Sequence, residues 1–251
     1  MARTRLDLLL VERGLYPTRA RAAAAVMAGR VRIGGPGQTK PGRLVAEDVA
    51  VEVEAGAEYV SRGGIKLANA LDATGIDPGG RSCLDVGAST GGFTDCLLKR
   101  GAAGVTCVDV GYGQLDWGLR QDSRVTVLDR LNARALSPDS LPFEPDLLVA
   151  DVSFISLRKV LPAVLSCAAD RFDCLALVKP QFEVGRGQVG KGGVVRSAAD
   201  RRSTLAVVGE AVVGLGYAPL GFVSSGLPGP AGNRETFIWI AEGGRDGPID
   251  P

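Results

Sequence analysis

From residue 62 to residue 240 the chain alternates short apolar runs with helical stretches, and this alternation constrains the fold more than any other feature. Seven runs read as strands, at 82–86, 105–110, 125–128, 147–150, 175–178, 220–223 and 237–240. Helical stretches fall between several of them, at 93–100, 157–167 and 198–215. Such an order specifies an α/β fold with a doubly wound, largely parallel sheet of seven strands. A ligand then sits outside the carboxyl ends of the strands.

The first 60 residues follow a different plan. Leu6, Leu9, Leu10 and Leu15 lie near helical spacing, Thr18 is placed to cap a second helix, and Gly29 to stop it. Short strands are expected from Val31 and from Val49. This small α+β head holds nine basic and two acidic residues in its first 45 positions, whereas the rest holds 20 basic and 26 acidic. The near-neutral total therefore hides a basic head, which fits a polyanion partner or, more plainly, a solvated arginine-rich surface. Arg3, Arg5, Arg19 and Arg21 are the candidate phosphate contacts. Domains are expected at 1–60 and 61–242, with a disordered tail at 243–251.

The sharpest local signal follows the first strand of the body. Asp85 precedes a glycine-rich turn, Gly87, Ser89, Thr90, Gly91, Gly92 and Phe93, that opens a helix. The glycines are expected to let a ligand approach the backbone. The turn matches neither the P-loop pattern nor the dinucleotide fingerprint. Asp85 would face a cationic or amine-bearing group, and Asp109, ending the next strand, could accept from ribose hydroxyls. Together these favour S-adenosylmethionine, against ordinary strand-end solvation of both carboxylates. After the third strand, Asn132, with Asp129 second, is placed either to meet an adenine edge or to form a turn.

Four ionisable residues lie at element ends on the same sheet edge: Lys66, Asp151, Lys179 and Glu235. They could form a structural ion-pair network or a reaction centre. The chain has no histidine, so an imidazole base is excluded and proton handling falls to Lys, Asp, Glu or Tyr. A lysine in a partly dry pocket, beside a second lysine and held by carboxylates, can serve. Lys179 is assigned as base or orienter of a ribose 2′-hydroxyl, with Asp151 orienting it and facing the methyl group. Lys66 and Glu235 complete the set. Arg62, and Lys191 and Arg196 in a glycine-rich loop, are candidate RNA contacts, the loop being either a basic lid or a plain connection.

The five cysteines form no C-x-x-C pair, so neither a zinc ribbon nor a disulfide framework is expected, and no metal is assigned. No run reaches the roughly 18 apolar residues of a membrane span. A cytoplasmic protein with no membrane partner is expected.

The head pattern "RLDLLLVERGLYPTRARAAAAVMAGRVRIGG" resembles the small RNA-binding module shared by a small-subunit ribosomal protein, pseudouridine synthases and tyrosyl-tRNA synthetases. The body order Lys66, Asp151, Lys179, Glu235 resembles that of FtsJ/RrmJ-type ribose 2′-O-methyltransferases, which have a Rossmann-like sheet. With "YVSRGGIKL", "LDVGASTGGFTDCLL", "DVSFISL" and "LVKPQFEVGRGQVGKGGVVR", the whole chain is similar to the TlyA family. The resemblance implies transfer of methyl from S-adenosylmethionine to the 2′-hydroxyl of cytidine in 16S rRNA, 23S rRNA or both, with ribosomal RNA or subunits as partner. Rival readings are a non-catalytic RNA-binding or ribosome-assembly factor and a haemolysin-like protein.

Overall fold

Leu6, Leu9 and Leu10 turn to one side of helix α1 (Leu6–Glu12) and meet Ala22, Ala25 and Val26 of α2 (Arg19–Met27). Thr18 Oγ1 accepts from the Arg21 amide to cap α2, and Gly29 stands at a φ of 74° just beyond its end. Strand β1 (Arg3–Arg5) pairs antiparallel with β3 (Leu44–Ala46), and β2 (Val31–Ile33) with β4 (Val51–Val53). Val31 and Val45 close the small core under the two helices. Leu15, expected in helical spacing with the other three leucines, lies past the end of α1 and is exposed. Asp7 is instead buried and takes ion pairs from Arg5 and Arg19, both at 2.9 Å.

The computed structural model describes residues 3–34, 39–53 and 58–247, and its contacts divide the chain between Glu58 and Tyr59. The turn expected at Gly35 lies outside the described residues. In the second unit the helices and strands run α3 (Arg62–Thr74), β5 (Ser82–Val86), α4 (Gly92–Lys99), β6 (Gly104–Asp109), α5 (Trp117–Arg120) and β7 (Val125–Asp129). There follow β8 (Leu147–Ala150), α6 (Leu161–Leu165), β9 (Asp173–Val178), α7 (Pro180–Glu183), α8 (Ala198–Gly214), β10 (Ala218–Ser224) and β11 (Thr236–Ala241). The sheet order is β7-β6-β5-β8-β9-β11-β10, parallel except that β11 runs against both neighbours. Chain direction switches sides at β5 and β8, so a crevice opens beyond their carboxyl ends.

Both faces of this sheet are covered, which is why its strands read as unbroken apolar runs. Leu147 and Val149 face a core shared with α3 and α4, while Leu148 and Ala150 face one shared with α6 and α8. The stretch expected as one helix at 157–167 is a 3₁₀ turn (Leu157–Lys159) followed by α6, because Pro162 has no N–H to continue the ladder.

The stretch expected as a tail from Gly243 opens on residues that the structure describes. Arg245 pairs with Asp173 at the foot of β9 and approaches Glu242 at 3.7 Å, so a half-buried carboxylate holds Arg245 against the sheet. Residues 248–251 lie outside the described ones.

Candidate active site

The residue before helix α4, Gly91, is its N-cap and has no side chain to cap it. Asp85 does so from β5 below, its Oδ2 accepting from the Thr94 amide at 3.0 Å and from Thr94 Oγ1 at 2.6 Å. The sequence placed Asp85 against a cationic ligand; instead it is fully buried and lines neither of the two clefts beside it. Burial pushes its carboxyl up to about 7, and Oδ1 has no hydrogen-bond partner among the described residues. Gly87 and Gly92 line the clefts and are also required by internal packing. A Cβ at Gly87 would stand 2.5 Å from the Asp151 carbonyl oxygen, and one at Gly92 would stand 2.1 Å from Ser61 Oγ. Gly91 lines neither cleft, since Leu115 and Leu119 fill the space where its side chain would go.

Two clefts meet above the β5–β8 switch. The first, about 470 Å³, is lined by Gly87, Ser89, Asp109, Leu131, Asn132 and the 151–155 loop among others. The second, about 380 Å³, is lined by Ser61, Arg62, Lys66, Thr90, Gly92, Phe93, Asp151 and Lys179 among others. Gly87, Ser89 and Asp151 border both. Asp109 is fixed by accepting from the Ser89 amide at 2.8 Å and the Gly111 amide at 2.7 Å. Asn132 borders the first cleft and also caps a 3₁₀ turn, its Oδ1 accepting from the Arg134 amide. Asp129, the second choice there, is tied to Arg120 at 2.8 Å, which draws its carboxyl below the usual range. Phe93 is mainly core, its ring 5.8 Å from that of Phe237.

Lys66, Asp151, Lys179 and Glu235 form two ion pairs. Lys66 Nζ lies 2.5 Å from Glu235 Oε2, both side chains buried. Lys179 Nζ lies 2.5 Å from Asp151 Oδ1 and donates to Ser153 Oγ at 2.8 Å. This second pair is partly open, 11% and 24% exposed. Lys66 rides on α3, a helix the sequence reading did not assign because Gly63 and Gly64 interrupt its first turn. Those glycines are needed: a Cβ at Gly64 would run into the Tyr59 ring. Ser61, capping α3 through the Gly63 amide, was the available signal.

The candidate RNA contacts are distributed. Arg62 lines the second cleft and donates to the Pro228 carbonyl at 2.6 Å; Lys191 and Arg196 are exposed in the following loop. In the first unit Arg3 and Arg21 are exposed, while Arg5 and Arg19 are half-committed to Asp7.

A family model described as FtsJ-like methyltransferase matches residues 59–242, and an S4 domain model matches residues 4–51. The chain is 51% identical over 240 residues to the Mycobacterium tuberculosis protein named 16S/23S rRNA (cytidine-2′-O)-methyltransferase TlyA, covering 95% of this chain and 90% of that one. The chain belongs to the TlyA family of FtsJ-like methyltransferases. Other members carry other labels: Hemolysin A of Brachyspira hyodysenteriae is 37% identical, over 92% of this chain and 97% of that one. A solved Streptococcus thermophilus structure with a provisional hemolysin label superposes at a TM-score of 0.73, with 38% identity, over all of this chain and 91% of that one. As in this family, the chain is an enzyme of the methyltransferase class with an S4 RNA-binding domain.

One residue the sequence reading missed ties the two halves of the site together. Glu183 on α7 accepts from the Leu157 amide and from Ser156 Oγ, each at 2.7 Å. It thereby joins the loop after Asp151 to the turn after Lys179. Glu183→Ala strands a buried amide at a cost of about 1–3 kcal/mol. Methyl transfer is expected to fall roughly tenfold or more, mostly in kcat, with partial recovery in Glu183→Gln. Steady-state kinetics of both variants check this; equal kcat in wild type and Glu183→Ala would remove the positioning role.

Proposed function

We propose that the chain transfers a methyl group from S-adenosylmethionine to the ribose 2′-hydroxyl of a cytidine in ribosomal RNA, in the cytoplasm where ribosomes are made. The observation that carries this reading is the pair Lys179–Asp151, 2.5 Å apart where the two clefts share a border. The first cleft fits the cofactor in chemistry: Asp109 offers a carboxylate to ribose hydroxyls, Leu131 and Asn132 an apolar face and an amide to adenine, and Gly87 and Ser89 backbone to the amino-acid end. S-adenosylmethionine, when bound, supplies a methyl on a positively charged sulfur that departs as a neutral thioether.

The chain's own residues supply the rest. A 2′-hydroxyl is a weak nucleophile, so it needs alignment and a destination for its proton. Lys179 holds the hydroxyl oxygen toward Asp151, and the Lys179–Asp151 pair receives the proton as the oxygen–methyl bond forms. Ser153 also fixes the lysine by accepting from its Nζ. Lys66 and Glu235 neutralise each other behind this pair and keep the floor of the second cleft rigid. Arg3, Arg21, Lys191 and Arg196 are exposed for RNA phosphates, and Arg62 borders the second cleft.

The haemolysin reading gains nothing from the fold: among the described residues no helix is long and apolar enough to cross a membrane. Purified protein incubated with ribosomal subunits and methyl-labelled cofactor is expected to yield 2′-O-methylcytidine on nuclease digestion and mass spectrometry. Label on a base, or none at all, would overturn the proposal.

A further inference from the structure

A third cleft, about 520 Å³, opens beside the catalytic one, between the start of α8 and the 224–236 segment. Three arginines line it, Arg201 and Arg202 from α8 and Arg234 from the chain just before β11. Arg201 is held in place by donating to the carbonyls of Val195 and Arg196, at 3.2 and 2.7 Å. Arg202 and Arg234 are exposed, with no carboxylate partner among the described residues. The one acid in the lining is Glu235, whose charge Lys66 already balances. Ala198, the first residue of the 17-residue α8, also borders the cleft, so the positive end of that helix dipole adds to the three guanidiniums.

We infer that this cleft is a phosphate subsite for the substrate strand, seating a phosphodiester that flanks the nucleotide being methylated. Its position supports that assignment. Glu235 lines this cleft while its ion partner Lys66 lines the catalytic one, so a single buried pair separates them. An RNA strand laid across that wall presents its 2′-hydroxyl on one side and a neighbouring phosphate on the other. Guanidinium forks match phosphate oxygens, and the contact fixes register without reading bases. The inference rests on the proposed RNA substrate, yet its test does not require methyl transfer.

The test is binding of a fluorescently labelled single-stranded oligoribonucleotide to the full chain, followed by anisotropy over a range of salt concentrations. Arg202→Gln/Arg234→Gln is compared with wild type and with Arg202→Lys/Arg234→Lys. Two lost phosphate contacts should flatten the log–log salt slope by about 1.4 and weaken binding roughly tenfold at low salt. The lysine pair should restore most of the slope, and cofactor affinity by calorimetry should stay unchanged in all three. An unchanged slope in the glutamine pair overturns the inference. So does an unchanged RNA slope combined with inorganic phosphate binding that the glutamine pair loses, which would assign the cleft to free phosphate. A wild-type chain that binds RNA with the expected slope difference but methylates nothing would sink the proposed function and leave this subsite standing.

Discussion

Lys179→Ala is expected to lower methyl transfer by about 10²–10⁴-fold while leaving the melting temperature nearly where it was. Lys179 and Asp151 are both partly open to water, so the orphaned Asp151 carboxylate can be hydrated. Lys66→Ala is expected to differ in kind. Its partner Glu235 is only 1% exposed, and an unpaired charge there costs about 3–5 kcal/mol. That variant should lose stability and turnover together. Thermal melts run beside labelled-methyl assays separate the two effects. Normal turnover by Lys179→Ala would remove Lys179 from the reaction, and an unshifted melt in Lys66→Ala would refute the buried pair as a structural element.

The second large effect is expected at Gly87. Its φ of 84° disfavours any side chain, and a Cβ there would press on the Asp151 carbonyl at 2.5 Å. Strain of about 1–3 kcal/mol adds to overpacking of about 1–3 kcal/mol. Gly87→Ala should therefore destabilise by several kcal/mol and push Asp151 out of line, weakening cofactor binding and turnover at once. Gly80 is the control, since it shares a positive φ of 71° but has nothing within 4 Å of a new Cβ. Gly80→Ala should show the strain alone and bind cofactor normally. Calorimetry and melts on both decide, and equal behaviour of the two variants would mean that the Gly87–Asp151 contact carries no weight.

The body's sheet was legible because parallel strands buried on both faces leave apolar runs that few other structures produce. Asp151 and Lys179 were legible because each follows the carboxyl end of a parallel strand, whereas Lys66 lies inside α3 and Glu235 stands just before β11. What the sequence hid were side chains turned inward. Asp85 sits in the motif as a ligand-facing carboxylate would, yet it caps a helix whose own cap is glycine. Asp7 interrupts the apolar run from Leu6 to Val11, and it is the buried acid that gathers Arg5 and Arg19. Glu183 lies 32 residues after Asp151 along the chain, and no periodicity announces that its carboxylate reaches back to residues 156 and 157. Helix α3 was missed because glycine, a poor helix former, is what lets Tyr59 and α4 approach it.

The reversed strand β11 has a consequence for the order in which a working molecule comes into being. Lys66 is laid down near the start of the body, and its counter-charge Glu235 arrives 169 positions later, ahead of the last strand of the sheet. Until Glu235 is placed, the Lys66 ammonium lacks the carboxylate that balances it in the folded protein, and burying it alone is costly. Two distant stretches of chain must therefore both be in place before the Lys66–Glu235 pair can close.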